Sequence, residues 1–358
     1  MSLSTTYIIV GQGLAGTTLA WQLYKENISF LIIDNHHQHC ASKVAAGLYN
    51  PVVFKRMVKS WMVDDLLPVA DSFYAYCEEV LETQFWYKLP IKKIFVNEEE
   101  KNIWRKKSEE NNYLGEIEEQ VSEMPIDSKE GLGEVKDAGW LDVSLFLEKS
   151  KQFFLENKLL LQQQFIYDNI LIKNEFVEYK NFKAKGIIFC EGYQILNNPY
   201  FSKLPLIPTK GEVLTLEINN FYPECTLNKG VFLLPLQNNN FKCGATYEWH
   251  TTNTDITEKG KQELEQKLHN FLKTEYQIKQ HNAGIRPTVL DRRPLLGQHT
   301  HHKKLYVFNG LGTKGVMLVP YFANIMKDFL LYNKDIPLEV NIKRFLFKPN
   351  YSLGVLLN

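Results

Sequence analysis

The sequence lacks the features of secreted, disulfide-stabilised and membrane-spanning proteins. Its 358 residues include only five cysteines, with no CxxC pair, at positions 40, 77, 190, 225 and 243. An odd number of scattered cysteines fits neither a disulfide framework nor a zinc site and predicts a reducing compartment. The start MSLSTTYIIVG has no basic residue, and no segment approaches the roughly 20 apolar residues of a membrane span. We therefore expect a soluble cytoplasmic protein.

Net charge is also absent, because 41 basic side chains balance 41 acidic ones. A neutral chain offers no broad electrostatic footprint for nucleic acid or anionic lipid. Counted by segment, however, residues 97–137 hold 13 acidic and 6 basic side chains, and residues 281–358 hold 11 basic and 4 acidic ones. The C-terminal segment could therefore form a local basic surface that binds a partner. The ordinary interpretation is that both charged segments are simply solvated faces.

Signals for a metal site or a serine nucleophile are missing. The histidines form two short runs, His36, His37, His39 and His299, His301, His302. Their spacing is poor for a tetrahedral site, and no cysteine or carboxylate cluster accompanies them. No GxSxG occurs either, which leaves a serine hydrolase unsupported. We expect loop histidines and no metal.

A strand, helix, strand unit opens the chain. Residues 7–10 form a β-branched run that leads into GQGLAG, a helical pattern follows, and residues 29–33 form a second apolar run. In such a unit Gly11 permits the tight turn, Gly13 lets a pyrophosphate approach the backbone, and Gly16 lets the helix pack on the strand. The pattern predicts a dinucleotide site, although a glycine turn alone serves packing equally well.

Asp34 strengthens that prediction, because it ends the second predicted strand 18 residues after Gly16. A carboxylate there accepts hydrogen bonds from the adenosine ribose and repels the 2′-phosphate of NADP. The N-terminus of the helix supplies N–H groups and its dipole to the phosphates. FAD and NAD share the same ADP half, so the loop leaves the choice between them open.

The rest of the chain contains both helical and strand patterns. The segments EVLTLEI, GVFLLPL and FKCGATYEW alternate as antiparallel strands do. We predict an α/β fold in which a parallel-sheet domain carries an inserted antiparallel-sheet domain. The predicted boundaries are 1–85, 140–200 and 285–358 for the first, discontinuous domain, and 86–139 and 201–284 for the second.

Three further segments carry a resemblance to a known family. They are ASKVAAGLYNP at 41–51, GIRPTVLDRRPLLG at 284–297 and NGLGTKGVMLVPYFANI at 309–325. With GQGLAG, their order and spacing resemble the D-amino-acid oxidase superfamily of flavoproteins, which includes glycine oxidase and sarcosine oxidase. The resemblance implies a Rossmann-like FAD-binding domain and an inserted substrate domain. Sarcosine oxidase attaches its flavin covalently through a cysteine just after the GxRP motif. No cysteine follows GIRP here, so the resemblance implies non-covalent FAD.

A closer likeness is to the FAD-dependent oxidoreductase half of the bifunctional tRNA 5-methylaminomethyl-2-thiouridine biosynthesis proteins. The segments AAGLYNP, AGWLDVSLF, GATYEW and DIPLEV are similar to segments of that half. The dinucleotide motif begins at residue 7, so we expect no methyltransferase half. This likeness adds tRNA as a candidate partner.

The family resemblance implies a reaction. An amino acid or N-substituted glycine gives a hydride to flavin N5, the imine hydrolyses, and oxygen reoxidises the flavin. One alternative is the oxidative removal of a carboxymethyl group from a modified wobble uridine in tRNA. An alternative of another class is a flavin-binding protein without catalysis.

Three candidate catalytic residues follow from the same resemblance. Arg286 matches the arginine that holds the substrate carboxylate in glycine oxidase, with an ion pair to Asp291 as the structural alternative. Lys314 would add positive charge at the flavin pyrimidine edge, although a surface lysine is the ordinary interpretation. Tyr247 lies where a strand of the inserted domain would cover the flavin, and a core or surface tyrosine is the alternative.

The sequence departs from the family at two positions. Glycine oxidase has a substrate-binding arginine where this chain has Thr313, and sarcosine oxidase has its oxygen-activating lysine near Met317. The resemblance therefore leaves substrate and electron acceptor open. The predicted cofactor contacts are Gly11, Gly13, Leu14, Ala15, Gly16, Asp34, Asn35, Ala41, Ser42, Ala46, Gly47, Leu48, Gly192, Gly310, Leu311, Gly312, Thr313, Lys314, Gly315 and Val316.

Overall fold

The computed structural model describes residues 3–35, 41–119 and 124–345. Its chain divides into two compact units. The first consists of Met1–Cys40, Ser144–Pro208 and Arg286–Asn358, and the second of Ala41–Val143 and Thr209–Ile285. His36, His37 and His39 lie outside the described residues.

The helices and strands follow each other in mixed order. The helices are α1 Leu14–Lys25, α2 Ala41–Val44, α3 Val63–Leu81, α4 Glu98–Ser108, α5 Val143–Glu156, α6 Glu258–His269 and α7 Gly315–Tyr332. The strands are β1 Leu3–Ser4, β2 Tyr7–Val10, β3 Phe30–Asp34, β4 Leu48–Tyr49, β5 Val52–Val53, β6 Val58–Lys59, β7 Trp86–Lys88, β8 Ile91–Ile94, β9 Leu114–Glu118, β10 Leu132–Val135, β11 Gly139–Leu141, β12 Leu160–Gln162, β13 Ile170–Ile172, β14 Val177–Tyr179, β15 Phe182–Ala184, β16 Gly186–Phe189, β17 Leu206–Glu217, β18 Thr226–Asn228, β19 Phe232–Pro235, β20 Asn240–Gly244, β21 Glu248–Trp249, β22 Gln277–Val289, β23 Leu295–Gln298 and β24 Leu305–Asn309. In the described ranges, no helix is both long and apolar enough to cross a membrane.

The first unit is built on a six-stranded sheet in the order β12, β3, β2, β16, β24, β23. Strand β2 pairs in parallel with β3 and β16, and β16 pairs in parallel with β24. The residues of β2 and β16 are buried throughout, which explains why their sequences are continuously apolar rather than alternating. Helices α1 and α7 pack against each other.

The second unit is built on a nine-stranded sheet in the order β21, β17, β20, β19, β18, β8, β10, β9, with β22 also paired to β17. Strand β20 runs antiparallel to both β17 and β19. Strand β18 pairs in parallel with β8. One face of the sheet packs a core that includes Leu214, Leu233, Phe241 and Leu264. The predicted α/β fold with an inserted antiparallel sheet is confirmed.

The compact units differ from the predicted division at residues 41–85, which group with the second unit rather than the first. The physical reason is their packing partners. Strand β4 pairs with β11, and the ring of Tyr74 on α3 stacks on Trp86 at 4.6 Å. The Glu78 carboxylate on α3 accepts from the backbone N–H of Phe85 at 2.8 Å. Which unit binds the cofactor is a separate question and stays a prediction.

Candidate cofactor site

Four parallel strands of the first unit end side by side. Gly11 follows β2, Asp34 ends β3, Cys190 follows β16 and Gly310 follows β24. Strand β3 lies on one side of β2, whereas β16 and β24 lie on the other. The chain order therefore reverses between β2 and β16. Ligands of open α/β sheets bind in the crevice outside the carboxyl ends of the strands at such a reversal.

The first glycine loop begins in this crevice. Gly11 has a φ of 100°, and a Cβ on it would lie 2.6 Å from the Cys190 carbonyl oxygen. A Cβ on Gly16 would lie 1.9 Å from the Gly11 carbonyl oxygen. Gly13 is the N-cap of α1, and no side chain caps the helix there. Gly11 and Gly16 are thus required by the turn itself, and the start of α1 is left clear of capping side chains.

Asp34 is held beside this loop. Its Oδ1 accepts a hydrogen bond from the backbone N–H of Gln12 at 3.0 Å. The Gln12 side chain is buried and its Nε2 donates to the Leu147 carbonyl at 3.1 Å. Gln12 occupies a variable position of the glycine motif, so sequence reasoning missed its role in fixing Asp34. Asn35 pairs with Gln164.

The second glycine loop joins β24 to α7. Gly310 and Gly312 have φ values of 73° and 56°, in the left-handed region that favours glycine. A Cβ on Gly310 would lie 2.6 Å from Val289 Cγ2. A Cβ on Gly315, the first residue of α7, would lie 3.2 Å from Leu14 Cδ2. Helices α1 and α7 therefore begin next to each other, which brings the two glycine loops together.

Lys314 is the N-cap of α7. Burial lowers the pKa of its ammonium group to about 8. The adjacent Leu311 and Val316 are buried, whereas Thr313 is exposed. The N-terminus of a helix carries a partial positive charge. This end of the site therefore combines a helix dipole with a desolvated cation.

Arg286 lies in β22, close to the second glycine loop. The carbonyl of the next residue, Pro287, accepts from the Gly312 N–H at 3.2 Å. Asp291 is engaged elsewhere, since its Oδ2 accepts from Arg344 Nε at 2.8 Å and its Oδ1 from Arg344 Nη2 at 3.2 Å. The alternative ion pair between Arg286 and Asp291 is therefore disfavoured.

The predicted small-residue loop lies in the second unit. Ala41 and Ser42 begin α2, Ala46 follows that helix, and Leu48 begins β4. Gly47 has a φ of 73°, and a Cβ on it would lie 1.9 Å from the Leu141 carbonyl oxygen. Gly47 therefore has a packing reason to be glycine, whether or not the loop contacts a flavin.

Tyr247 is located between β20 and β21 of the second unit. Its side chain is 47% exposed, and its ring centroid lies 5.3 Å from that of Trp249, which is 42% exposed. The alternative of a core tyrosine is therefore wrong. A surface tyrosine and a ligand-contacting tyrosine both stay open.

Comparison with known proteins decides the family. The sequence model of a family described as FAD dependent oxidoreductase matches residues 6–329. The chain belongs to this family. The bifunctional protein ThiO/ThiG of Nostoc sp. is 24% identical over 364 residues, which cover 92% of this chain and 53% of that protein.

One further relative and one solved structure match most of the chain. The tRNA 5-methylaminomethyl-2-thiouridine biosynthesis bifunctional protein MnmC of Marinobacter nauticus is 21% identical, over 90% of this chain and 54% of its own length. The chain thus spans about half the length of the curated relatives it matches. The crystal structure of glycine oxidase from Geobacillus kaustophilus superposes with a TM-score of 0.78 at 19% identity, covering 94% of this chain and 97% of that one. At that identity, the likeness shows a shared fold.

The resemblance to this flavoprotein family, an FAD-dependent oxidoreductase as the enzyme class and FAD as the cofactor are therefore confirmed by the family match. The residues at the carboxyl ends of the parallel strands also fit FAD. Gly11 and Gly16 allow the tight turn before α1, because a Cβ on either would clash with backbone oxygen atoms. No side chain caps α1 at Gly13, and the N–H groups at a helix start suit a diphosphate. Asp34 has the chemistry to hold the ribose hydroxyls. Individual contacts and non-covalent attachment stay predictions.

Sequence reasoning missed a second lysine of this flavoprotein. Lys242 on β20 donates from Nζ to the Ala45 carbonyl at 3.1 Å, within the second unit. Burial lowers the pKa of its ammonium group, and the Asp142 carboxylate opposes that shift. Its signal was a single cation in the otherwise uncharged run FKCGATY. Lys242 thereby fixes the loop that carries Ala46 and Gly47.

Proposed function

We propose that the protein oxidises the C–N bond of an amino acid or N-substituted glycine, with oxygen as the final electron acceptor. When bound, FAD supplies the hydride acceptor, flavin N5. The single observation that carries the proposal is the position of Arg286, whose strand is hydrogen-bonded to the second glycine loop through Pro287 and Gly312. A guanidinium there suits a substrate that carries a carboxylate.

Each candidate catalytic residue has a distinct task in this proposal. Arg286 holds the substrate carboxylate through two parallel N–H donors and so orients the carbon that loses the hydride. Lys314, with the N-terminus of α7, stabilises the negative charge that develops on hydride transfer. Tyr247 offers an exposed ring as a cover. The structural relative from Geobacillus kaustophilus is a glycine oxidase, which supports a small amino-acid substrate.

A modified uridine in tRNA is the second candidate substrate. The Marinobacter nauticus relative is named for tRNA modification, and residues 281–358 hold 11 basic against 4 acidic side chains. Several of these cations have carboxylate partners, however. Lys327 pairs with Glu26 at 2.9 Å and Lys334 with Asp328 at 2.7 Å. Asp328 is already one of the 4 acidic side chains of this segment, so only Glu26 lowers its positive excess further. We rank tRNA second because a small amine accounts for Arg286 without a macromolecular partner.

The alternative of a flavin-binding protein without catalysis would make this chain an exception within a family of oxidoreductases, and we rank it third. The observation that favours it is Thr313, an exposed residue where glycine oxidase is expected to have a substrate-binding arginine. Arg286 partly compensates for the missing arginine at position 313, because one bidentate guanidinium is sufficient to anchor a carboxylate.

Anaerobic bleaching of the bound flavin separates the three candidates. We expect glycine or sarcosine to remove the visible flavin absorbance. Bleaching by carboxymethylaminomethyl-modified tRNA alone would overturn the small-amine proposal. No bleaching by either substrate class would favour the non-catalytic protein.

Arg286→Met tests the carboxylate contact. Loss of a charge-assisted bidentate contact of about 1.5–3 kcal/mol predicts a rise of about 10- to 100-fold in the apparent substrate KM. The FAD dissociation constant should stay within about twofold, since the lost contact is to substrate. Arg292→Met is the matched control, because Arg292 is an exposed arginine of the same segment. An equal loss of FAD and substrate affinity would contradict the proposed role.

A further inference from the structure

Glu191 occupies the point where the strand order of the first unit reverses. The preceding residue, Cys190, donates from its N–H to the Val10 carbonyl at 2.8 Å. A Cβ on Gly11 would lie 3.6 Å from the Cα of Glu191. Glu191 therefore borders the crevice between β2 and β16, beside the first residue of the dinucleotide loop.

The Glu191 carboxylate is held by two neutral donors. Tyr167 donates from its hydroxyl to Oε1 at 2.6 Å, and Asn198 donates from Nδ2 to Oε2 at 2.8 Å. Asn198 is fully buried and is itself fixed, because its Oδ1 accepts from the N–H groups of Tyr200 and Phe201 at 2.8 and 3.1 Å. The carboxylate is thus fixed in place, and the donors found at its oxygens in the described part of the chain are both neutral.

The next residue links this acid to the second glycine loop. Gly192 has a φ of 57°, and its carbonyl accepts from Asn309 Nδ2 at 2.8 Å. Asn309 is buried, and its Oδ1 accepts from the Gly310 N–H at 2.8 Å. The segment after β16 and the loop after β24 are therefore tied together by side-chain hydrogen bonds.

The electrostatics of this position disfavour a negative charge. Burial raises the pKa of Glu191 to about 7, and the hydrogen bonds from Tyr167 and Asn198 only partly oppose that rise. Burial likewise raises the pKa values of the Tyr167 phenol and the Cys190 thiol, with a further rise from Glu191, so both stay neutral near pH 7. Asp34 lies across the same loop and adds a carboxylate.

We propose that Glu191 is a further residue of the FAD site and that FAD binds with this carboxyl group protonated. The inference rests on the proposed position of the FAD diphosphate at the Gly11 loop. Two phosphates and an ionised Glu191 would be like charges in a partly desolvated crevice, which is unfavourable. Binding therefore takes up a proton. The neutral carboxyl group still accepts from Asn198 at its carbonyl oxygen and donates its O–H to the Tyr167 hydroxyl, so it continues to hold the segment before Gly192.

The pH dependence of FAD binding tests this proposal. The full-length apoprotein is titrated with FAD, and binding is followed by quenching of flavin fluorescence. Above the pKa of Glu191, the dissociation constant of the wild type should rise by up to about tenfold per pH unit. Glu191→Gln keeps a neutral group of the same shape, so its dissociation constant should stay flat between about pH 6 and about pH 9. Parallel curves for the two proteins would overturn the proposal.

A measurement on the wild type alone guards against a variant that fails to fold. Calorimetric titration with FAD at about pH 8, in buffers of different ionisation enthalpy, should show uptake of close to one proton per FAD. No proton uptake would also overturn the proposal. Tyr167→Phe removes a donor to the ionised form, so its dissociation constant should begin to rise at higher pH. None of these readouts needs a substrate, so failure of the proposed oxidation leaves them unaffected.

Discussion

Gly16→Ala tests the packing of α1 on the parallel sheet. The added methyl group would lie 1.9 Å from the Gly11 carbonyl oxygen and 3.3 Å from Cys190 Cβ. The first distance is more than an ångström shorter than real Cβ contacts tolerate. Neither neighbouring atom can rotate away, because one is backbone and the other is fixed to it. The start of α1 must therefore move away from the strand.

The expected magnitude combines two opposing terms. Overpacking at a rigid contact costs about 3 kcal/mol, and alanine returns about 1 kcal/mol of helix propensity relative to glycine. We therefore expect the free energy of unfolding to fall by about 2 kcal/mol. Displacing the first N–H groups of α1 should also raise the FAD dissociation constant by about tenfold or more.

Gly312→Ala is the matched control. Its φ is 56° and no atom lies within 4 Å of the added Cβ, so it carries only the left-handed backbone cost of about 1 kcal/mol. Urea unfolding of the apoproteins followed by circular dichroism measures stability, and flavin fluorescence measures FAD binding. A Gly16→Ala protein as stable as the wild type would refute the packing argument, as would a larger cost at Gly312.

Two further predictions concern buried charge. Because the pKa of Lys314 is about 8, its side chain loses its positive charge as the pH rises through that value. Arginine at this position stays charged. Above about pH 8, the midpoint potential of the bound flavin should therefore fall more steeply with pH in the wild type than in Lys314→Arg. Spectroelectrochemical titration measures this, and identical slopes would contradict a role near the flavin. Arg344→Met leaves Asp291 without its bidentate partner and should lower the free energy of unfolding by about 3 kcal/mol. Lys343→Met is the control, because Lys343 is exposed, and it should change the free energy of unfolding by less than about 0.5 kcal/mol. If urea unfolding shows the same loss for both variants, the Arg344–Asp291 ion pair is not a structural one.

The parallel sheet could be predicted because its signals are local. The residues Tyr7–Val10 are apolar without alternation, and their complete burial in the structure is what such a run implies. The assignment of residues 41–85 could not be predicted in the same way. The pattern of α3 indicates that one face is buried, but it does not say which strand covers that face. The answer depends on Trp86 and β11, which come later in the chain.

The residues of the candidate site also differ in whether their signal in the sequence is local. The backbone roles of Gly11, Gly16 and Gly310 could be predicted, because a Cβ on each would meet a neighbouring atom at 2.6 Å or less. Gly312 has only a left-handed backbone that favours glycine. The roles of Gln12, Glu191 and Lys242 depend on contacts with residues distant in sequence, for which spacing gives no signal. Glu191 is an ordinary acid in the sequence. Its position at the strand reversal is what makes its charge matter.

Charge pairing shows why composition alone is a weak guide to the substrate. The excess of basic residues in 281–358 suggests a phosphate-binding surface. The structure pairs Lys327 with Glu26, 301 residues away, and Arg344 with Asp291, 53 residues away. Cations that satisfy carboxylates of the same chain contribute little to counterion release from a nucleic acid. Asp291 is already counted among the acidic residues of this segment, however, so of these two pairs only the one with Glu26 lowers its positive excess. The excess of basic residues therefore does not decide the substrate, whereas a carboxylate-bearing amine needs only the single guanidinium of Arg286.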